Sequence, residues 1–343
     1  MLLAMNKKQI MIYAHQAKRN QHYFCPTCKQ QVQLKRGKHK IAHFAHFKHQ
    51  ACESFSEGET AEHLRAKNQL YQWLLQQNLP VQMEAYLPQL KQRPDLLVGK
   101  IAIEMQCSPL STTRFQERNH GYFSENYHPW WLVGRKLQPK KHQLRPLVKA
   151  MICRGRKQAA FQFYGLDEKR NVLLYYSNLR WHYRRGYFYD CNEIPLAELK
   201  LKSVFQLQLP PVQSFSWTVK EYQFYLQNQL FHRQPHTMDL QEFCYLYQQN
   251  LLALPGWCYL SSPYHVLFEH DLLILRMLYL QTDNYPSWLK ALKNFSFTWD
   301  YPFLNQAEIL EEIFIECEKL SANPVNQFLK CPKMLAFICA NFL

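Results

Sequence analysis

Residues 93–106, Arg-Pro-Asp-Leu-Leu-Val-Gly-Lys-Ile-Ala-Ile-Glu-Met-Gln, are two short apolar runs meeting at a Gly-Lys turn, each with a carboxylate at its outer end. Leu96, Leu97 and Val98 are apolar at every position, as are Ile101, Ala102 and Ile103. Continuous rather than alternating apolarity is what central strands need when both faces are covered. A tight turn at Gly99-Lys100 makes the pair antiparallel and brings Asp95 and Glu104 to the same end. Two carboxylates in one small volume suit a hard divalent ion, Mg²⁺ or Mn²⁺, that can polarise a phosphoryl group and supply hydroxide. The pattern is half of a metal-dependent phosphodiesterase site.

The flanks fit one layered unit. Ala66, Leu70, Trp73 and Leu74 share a face of a helix expected over residues 60–77, with Thr60 as N-cap. Residues 81–87 read as a strand holding Glu84, residues 112–124 as a helix, and Trp130, Trp131, Leu132 and Val133 as a further strand. The expected order is α-β-β-β-α-β. Glu59 and Glu62 open the first helix, either as metal ligands or as acids favoured there by the helix dipole. Glu84 faces inward as a ligand or outward into solvent. Arg118 and Tyr122 lie at i and i+4, one turn after Phe115, placed either to contact phosphate or to brace the sheet.

A second signal lies upstream. Cys25-x2-Cys28, fourteen intervening residues, then His43-x2-His46 supply two close-spaced ligand pairs, the number that a closed, structural tetrahedral zinc site requires. His39, His49 and Cys52 are alternates for one ligand. Residues 1–58 carry ten Lys or Arg against Glu53 and Glu57. Lys35, Arg36, Lys38 and Lys40 cluster between the ligand pairs, so this segment reads as a small metal-held module meeting phosphates.

The charge is uneven along the chain. Residues 1–190 hold 31 basic and 12 acidic side chains, residues 191–343 hold 10 and 14, which puts a nucleic-acid footprint in the first half. Residues 135–185 are densest, with fourteen basic residues against Asp167 and Glu168. At their end Arg180, Trp181, Arg184 and Arg185 interleave with tyrosines, a pattern that stacks unpaired bases while pairing with their backbone, or that builds an aromatic strand core. From about residue 210 the chain reads helical, at residues 222–231, 240–252, 266–280 and 306–320. Eleven cysteines, scattered singly except for Cys25 and Cys28, form no disulfide framework. With no signal-peptide core and no membrane-length apolar run, the reading is a cytoplasmic protein without a membrane span. Three segments are expected: 1–58, 59–150 and 151–343.

The α-β-β-β-α-β order, with Asp after Pro and Glu-x-Gln on the next strand, resembles the PD-(D/E)XK restriction-endonuclease-like core, an α/β (α+β) fold. More narrowly, Glu104-Met105-Gln106-Cys107-Ser108-Pro109-Leu110-Ser111 with Phe115, Arg118 and Tyr122, together with Cys25-Pro26-Thr27-Cys28, His43-Phe44-Ala45-His46 and Glu62-His63, resembles the competence protein CoiA family. The resemblance covers roughly the first 135 residues with specific motifs. It implies a small zinc knuckle, a nuclease-like core and a mainly helical C-terminal domain. It also implies a role in natural transformation, acting on incoming single-stranded DNA, with a RecA-type recombinase or other transformation proteins as partners. The candidate catalytic set is Asp95, Glu104, Gln106, Glu62, His63, Lys67 and Glu84. One departure is chemical: the nuclease pattern has Lys where this chain has Gln106, which hydrogen-bonds but carries no charge. Lys67, one helical turn from His63, is the expected substitute. A site without such a cation would leave an inactive single-strand-binding accessory factor.

Overall fold

The computed structural model describes residues 1–37, 40–47, 60–155, 160–207, 215–295 and 297–322. Lys38, His39, His49, Cys52, Glu59 and the boundary at residue 58 lie outside the described residues.

The N-terminal segment forms an antiparallel sheet of β1 (Leu3–Met5), β2 (Met11–Tyr13), β3 (Tyr23–Phe24), β4 (Gln31–Gly37) and β5 (Lys40–His46), ordered β2-β1-β3-β4-β5. Its own core is little more than Ala4, Ala14, Tyr23, Cys25, Val32 and Phe44, too little apolar area to hold five short strands unaided.

The next elements follow the expected order: α1 (Ala61–Leu75), β6 (Val81–Met83), β7 (Leu96–Val98), β8 (Ile101–Gln106), α2 (Thr112–Ser124) and β9 (His128–Val133). Thr60 caps α1, its Oγ1 accepting the His63 N–H at 3.2 Å, and Ser111 caps α2 through the Arg114 N–H. Gly99 takes φ +57° in the two-residue turn that pairs Val98 with Ile101, the conformation such hairpins demand of their first turn residue. Strand β6 is shorter than expected because Glu84 adopts φ +52° and turns out of the ladder.

The boundary expected near 150 falls inside a continuous sheet. After α3 (Pro146–Ala150) and β10 (Cys153–Arg154), β11 (Phe161–Asp167) lies parallel to β9, and β12 (Val172–His182) and β13 (Gly186–Pro195) extend the sheet antiparallel. The strand order is β13-β12-β11-β9-β8-β7-β6, with β10 beside β11. All of β11 is buried, its polar Gln162 and Asp167 included.

Then come α4 (Leu201–Val204), α5 (Val219–Phe231), α6 (Pro235–Leu246), α7 (His265–Phe268), α8 (Leu272–Leu280), α9 (Tyr285–Leu292) and α10 (Gln306–Ser321). The helix expected over 266–280 is broken at Glu269, whose φ is +49°. One sheet face packs Leu96, Val98, Ile103 and Met105 against Leu64, Leu70, Trp73 and Leu74 of α1. The other packs Trp131, Val133, Phe163 and Tyr176 against Phe115 of α2 and against Leu240, Leu272 and Ile309 of the later helices. The result is a three-layer α/β architecture in which the C-terminal helices cover a sheet face. Each fully buried leucine contributes about 1.5–3 kcal/mol. No described helix is long and apolar enough to cross a membrane.

Candidate active site

The β7–β8 pairing ends with Leu96 beside Ile103, which leaves Asp95, just before β7, at the end of the hairpin where β8 carries Glu104. The Met105 N–H donates to Asp95 Oδ2 at 2.9 Å. His63 and Lys67, one turn apart on α1, reach the same carboxylate: His63 Nε2 lies 2.7 Å from Oδ2 and Lys67 Nζ 3.2 Å from Oδ1. Lys67 is 1% exposed and also pairs with Glu84 Oε1 at 2.7 Å. Glu84 is turned inward. Its positive φ aims the side chain away from the solvent face, and its carboxylate accepts the Leu2 N–H at 2.8 Å and the Leu3 N–H at 3.3 Å. This carboxylate thereby joins the N-terminal sheet to the Lys67–Asp95 pair.

Burial alone would raise the Asp95 carboxyl, but His63 and Lys67 hold it below the usual carboxylate range. With the pKa lowered by folding, the native state binds fewer protons at Asp95 than the unfolded chain does. The stabilisation is therefore complete above the unfolded value of about 3.9 and is lost as pH falls toward the folded one. Urea unfolding of Asp95→Asn should show a flatter stability profile than the wild-type chain from about pH 5 down to pH 2; parallel profiles would mean that the carboxylate is not so held.

Glu104 is held from α2. Arg118 Nη2 and the Tyr122 hydroxyl both donate to its Oε1. Burial pushes the Glu104 carboxyl up, against the pull of Arg118, and burial keeps Tyr122 protonated and able to donate. Of the two readings of Arg118 and Tyr122, neither an open phosphate contact nor a simple brace describes them: they clamp one oxygen of Glu104. No described group donates to Oε2, so that oxygen is left for an electrophile. The oxygen donor set of Asp95 and Glu104 fits a hard divalent ion in kind.

Gln106, 6% exposed, sends its Nε2 to the Ser108 carbonyl at 2.7 Å, steadying the turn that follows β8. Glu62 does not cap α1; its Oε1 accepts the Arg135 N–H at 2.6 Å, tying the helix to the turn after β9. The turn passes close to both side chains at Gly134, where a Cβ would stand 2.8 Å from Glu62 Oε1 and from Cys107 Sγ, so either would have to shift. Sequence reasoning missed Glu168. It is 2% exposed and gathers Arg65 at 3.0 Å and Arg135 at 3.1 Å. Nothing marks it in Asp167-Glu168-Lys169-Arg170, which reads as a solvated turn.

In the N-terminal sheet, one ligand atom each from Cys25, Cys28 and His46 lies within 4.8 Å of the others, with Cys28 Sγ 3.3 Å from His46 Nε2. His43 does not join them. On strand β5 residues three apart point to opposite faces, and the His43 Nδ1 lies 2.8 Å from the Ile41 carbonyl. Two thiols and an imidazole gathered this closely suit zinc.

The basic tract is rearranged as well. Trp181 is buried, stacked on His265 with ring centroids 5.3 Å apart and planes at 4°, so it serves the core and offers no face to a base. Arg180 pairs with Asp190 at 3.3 Å. Arg184 and Arg185 are exposed at the tip of the β12–β13 hairpin. Lys35 is exposed on β4, whereas the Arg36 guanidinium donates to the Ala14 and His15 carbonyls, each at 2.5 Å.

Comparison with known proteins gives three findings. The family model of the competence protein CoiA nuclease-like domain matches residues 59–209, and that of the CoiA N-terminal domain matches residues 6–55. Competence protein CoiA of Bacillus subtilis (strain 168) is 35% identical over 124 residues, 35% of this chain and 33% of that protein. The match thus spans about a third of that relative's length. No solved structure matches.

Proposed function

The chain belongs to the competence protein CoiA family, and from that premise we propose that it is a metal-dependent, PD-(D/E)XK-type nuclease of natural transformation, acting on incoming single-stranded DNA in the cytoplasm. The observation that carries this reading is the convergence of Asp95 and Glu104 at one end of a buried hairpin, with Lys67 brought in from α1. The cation that the nuclease pattern places two residues after the Glu comes here from a helix, while Gln106 shapes the turn. A divalent ion held by Asp95 and Glu104 Oε2 would polarise the scissile phosphate and lower the pKa of a water. The protein's own part is electrostatic. Lys67 would offset the negative charge that grows on the attacked phosphate. His63 and the Met105 N–H fix the Asp95 carboxylate, and Arg118 with Tyr122 fixes Glu104 so that one oxygen faces the site. Cys25, Cys28 and His46 would hold a structural zinc that organises the small N-terminal sheet.

A second reading, a binding platform that delivers single strands to a RecA-type recombinase, is favoured by two features. Position 106 is uncharged, and Arg118 and Tyr122 already occupy one Glu104 oxygen. Calorimetric titration of the chain with Mn²⁺ separates the two. The nuclease reading expects saturable binding that Glu104→Ala weakens by about 100-fold or more, since even outer-sphere changes cost 10–100-fold. Equal heats from both proteins would favour the platform.

A further inference from the structure

We infer that the loop leaving β9 and the tip of the β12–β13 hairpin form one phosphate-binding strap that leads nucleic acid to the Asp95–Glu104 site. The inference rests on the nucleic-acid reading above and adds where the backbone lies.

The loop begins beside the site, where the Arg135 N–H is bonded to Glu62. It then makes a tight turn, with Lys140 bridged to Gln143 and Lys141 at φ +56°. His142 pins it to the hairpin. The His142 carbonyl accepts the Tyr187 N–H at 2.8 Å, its Nδ1 lies 3.0 Å from the Tyr187 carbonyl, and its ring lies on Phe188 with centroids 4.1 Å apart. Gly186, at φ +83°, permits this approach, because a Cβ there would fall 2.4 Å from the His142 carbonyl oxygen. The hairpin is anchored below by the Tyr187 hydroxyl, which donates to the Val266 carbonyl at 3.1 Å.

What this arrangement displays is charge of one sign. Lys136, Lys140, Lys141, Arg145, Arg184 and Arg185 are all exposed, and none has an ion-pair partner among the described residues. The apolar residues of the same loop, Leu137 and Leu144, are buried, as are Trp181 and Tyr187 on the hairpin. A surface with cations outward and both aliphatic and aromatic groups inward has nothing to insert into a bilayer and little to stack on a base. It suits a regularly charged polyanion whose phosphates are met without regard to sequence.

The test is fluorescence anisotropy of a labelled oligothymidylate against the full chain, across a salt series. The comparison is with a quadruple variant, Lys140→Gln, Lys141→Gln, Arg184→Gln and Arg185→Gln. If each side chain meets a phosphate, the slope of log K against log salt should drop by roughly 3 and affinity at low salt should fall by about 100-fold. A control variant carrying Lys290→Gln and Lys293→Gln, on and just after α9, should keep the wild-type slope. Unchanged slope and affinity in the quadruple variant, with normal binding by the wild-type chain, would overturn the strap while leaving the nucleic-acid reading intact. No binding by the wild-type chain would remove that reading and the strap with it. Anionic vesicles captured by the wild-type chain and released by the quadruple variant, with oligonucleotide binding unaltered, would assign the surface to lipid and overturn the inference.

Discussion

Lys67→Ala should lower stability by about 3–5 kcal/mol, the usual result of removing one partner from a buried charged pair, and cut DNA cleavage by roughly 100- to 1,000-fold. The two effects have one cause. The ammonium is 1% exposed and lies 2.7 Å from Glu84 and 3.2 Å from Asp95. Its loss leaves two inward carboxylates without their shared cation. Each then prefers its proton, so the stability deficit should narrow as pH falls through the carboxylate range. Lys67→Arg, which keeps the charge on a larger, forked head, should recover more stability than activity, because the site was shaped for a compact ammonium. Denaturant unfolding and gel-based cleavage read the two quantities separately. An Ala variant with wild-type stability would mean that the buried triad is not the electrostatic centre of the site.

Cys28→Ser is the second large expected change. Small zinc modules draw roughly 10 kcal/mol or more of folding free energy from their metal, and this sheet has only a few buried side chains of its own. The variant should purify without zinc and lose hydrogen-exchange protection across strands β1 to β5. Because the Leu2 and Leu3 amides, at the start of this sheet, donate to Glu84, the loosening should spread to α1 and reduce protection around Lys67. His43→Ala should keep the metal, since His43 lies on the other face of β5. Zinc retained by Cys28→Ser, or lost from His43→Ala, would contradict this ligand assignment.

Local chemistry carried much of the reading from sequence. The α2 boundaries, the hairpin turn at Gly99 and the order of elements from α1 to β9 follow from periodicity, capping residues and a turn glycine, all of which act over a few positions. The failures share a different cause. A His-x2-His spacing converges on a helix but diverges on a strand, so the expected His43 ligand depended on a secondary structure that spacing alone does not specify. The break at Glu269 and the early end of β6 at Glu84 come from positive φ at non-glycine residues, which no apolar pattern reports. The sheet continues past residue 150 because β11 finds its parallel partner β9 across an intervening helix and a short strand. Glu168 and the clamp on Glu104 exist only after elements distant in sequence have met. Lys67 was reachable because helix geometry fixes it one turn from His63.

The central claim is that Asp95 and Glu104 form a working metal site despite Gln106. Incubating labelled single- and double-stranded DNA with the purified chain and Mg²⁺ or Mn²⁺, beside Glu104→Gln, tests it most directly, since Gln keeps the volume and an acceptor for Arg118 and Tyr122 while removing the charge. Metal-dependent product is expected from the wild-type chain and none from the variant. Tight, salt-sensitive binding by both proteins with product from neither would contradict it.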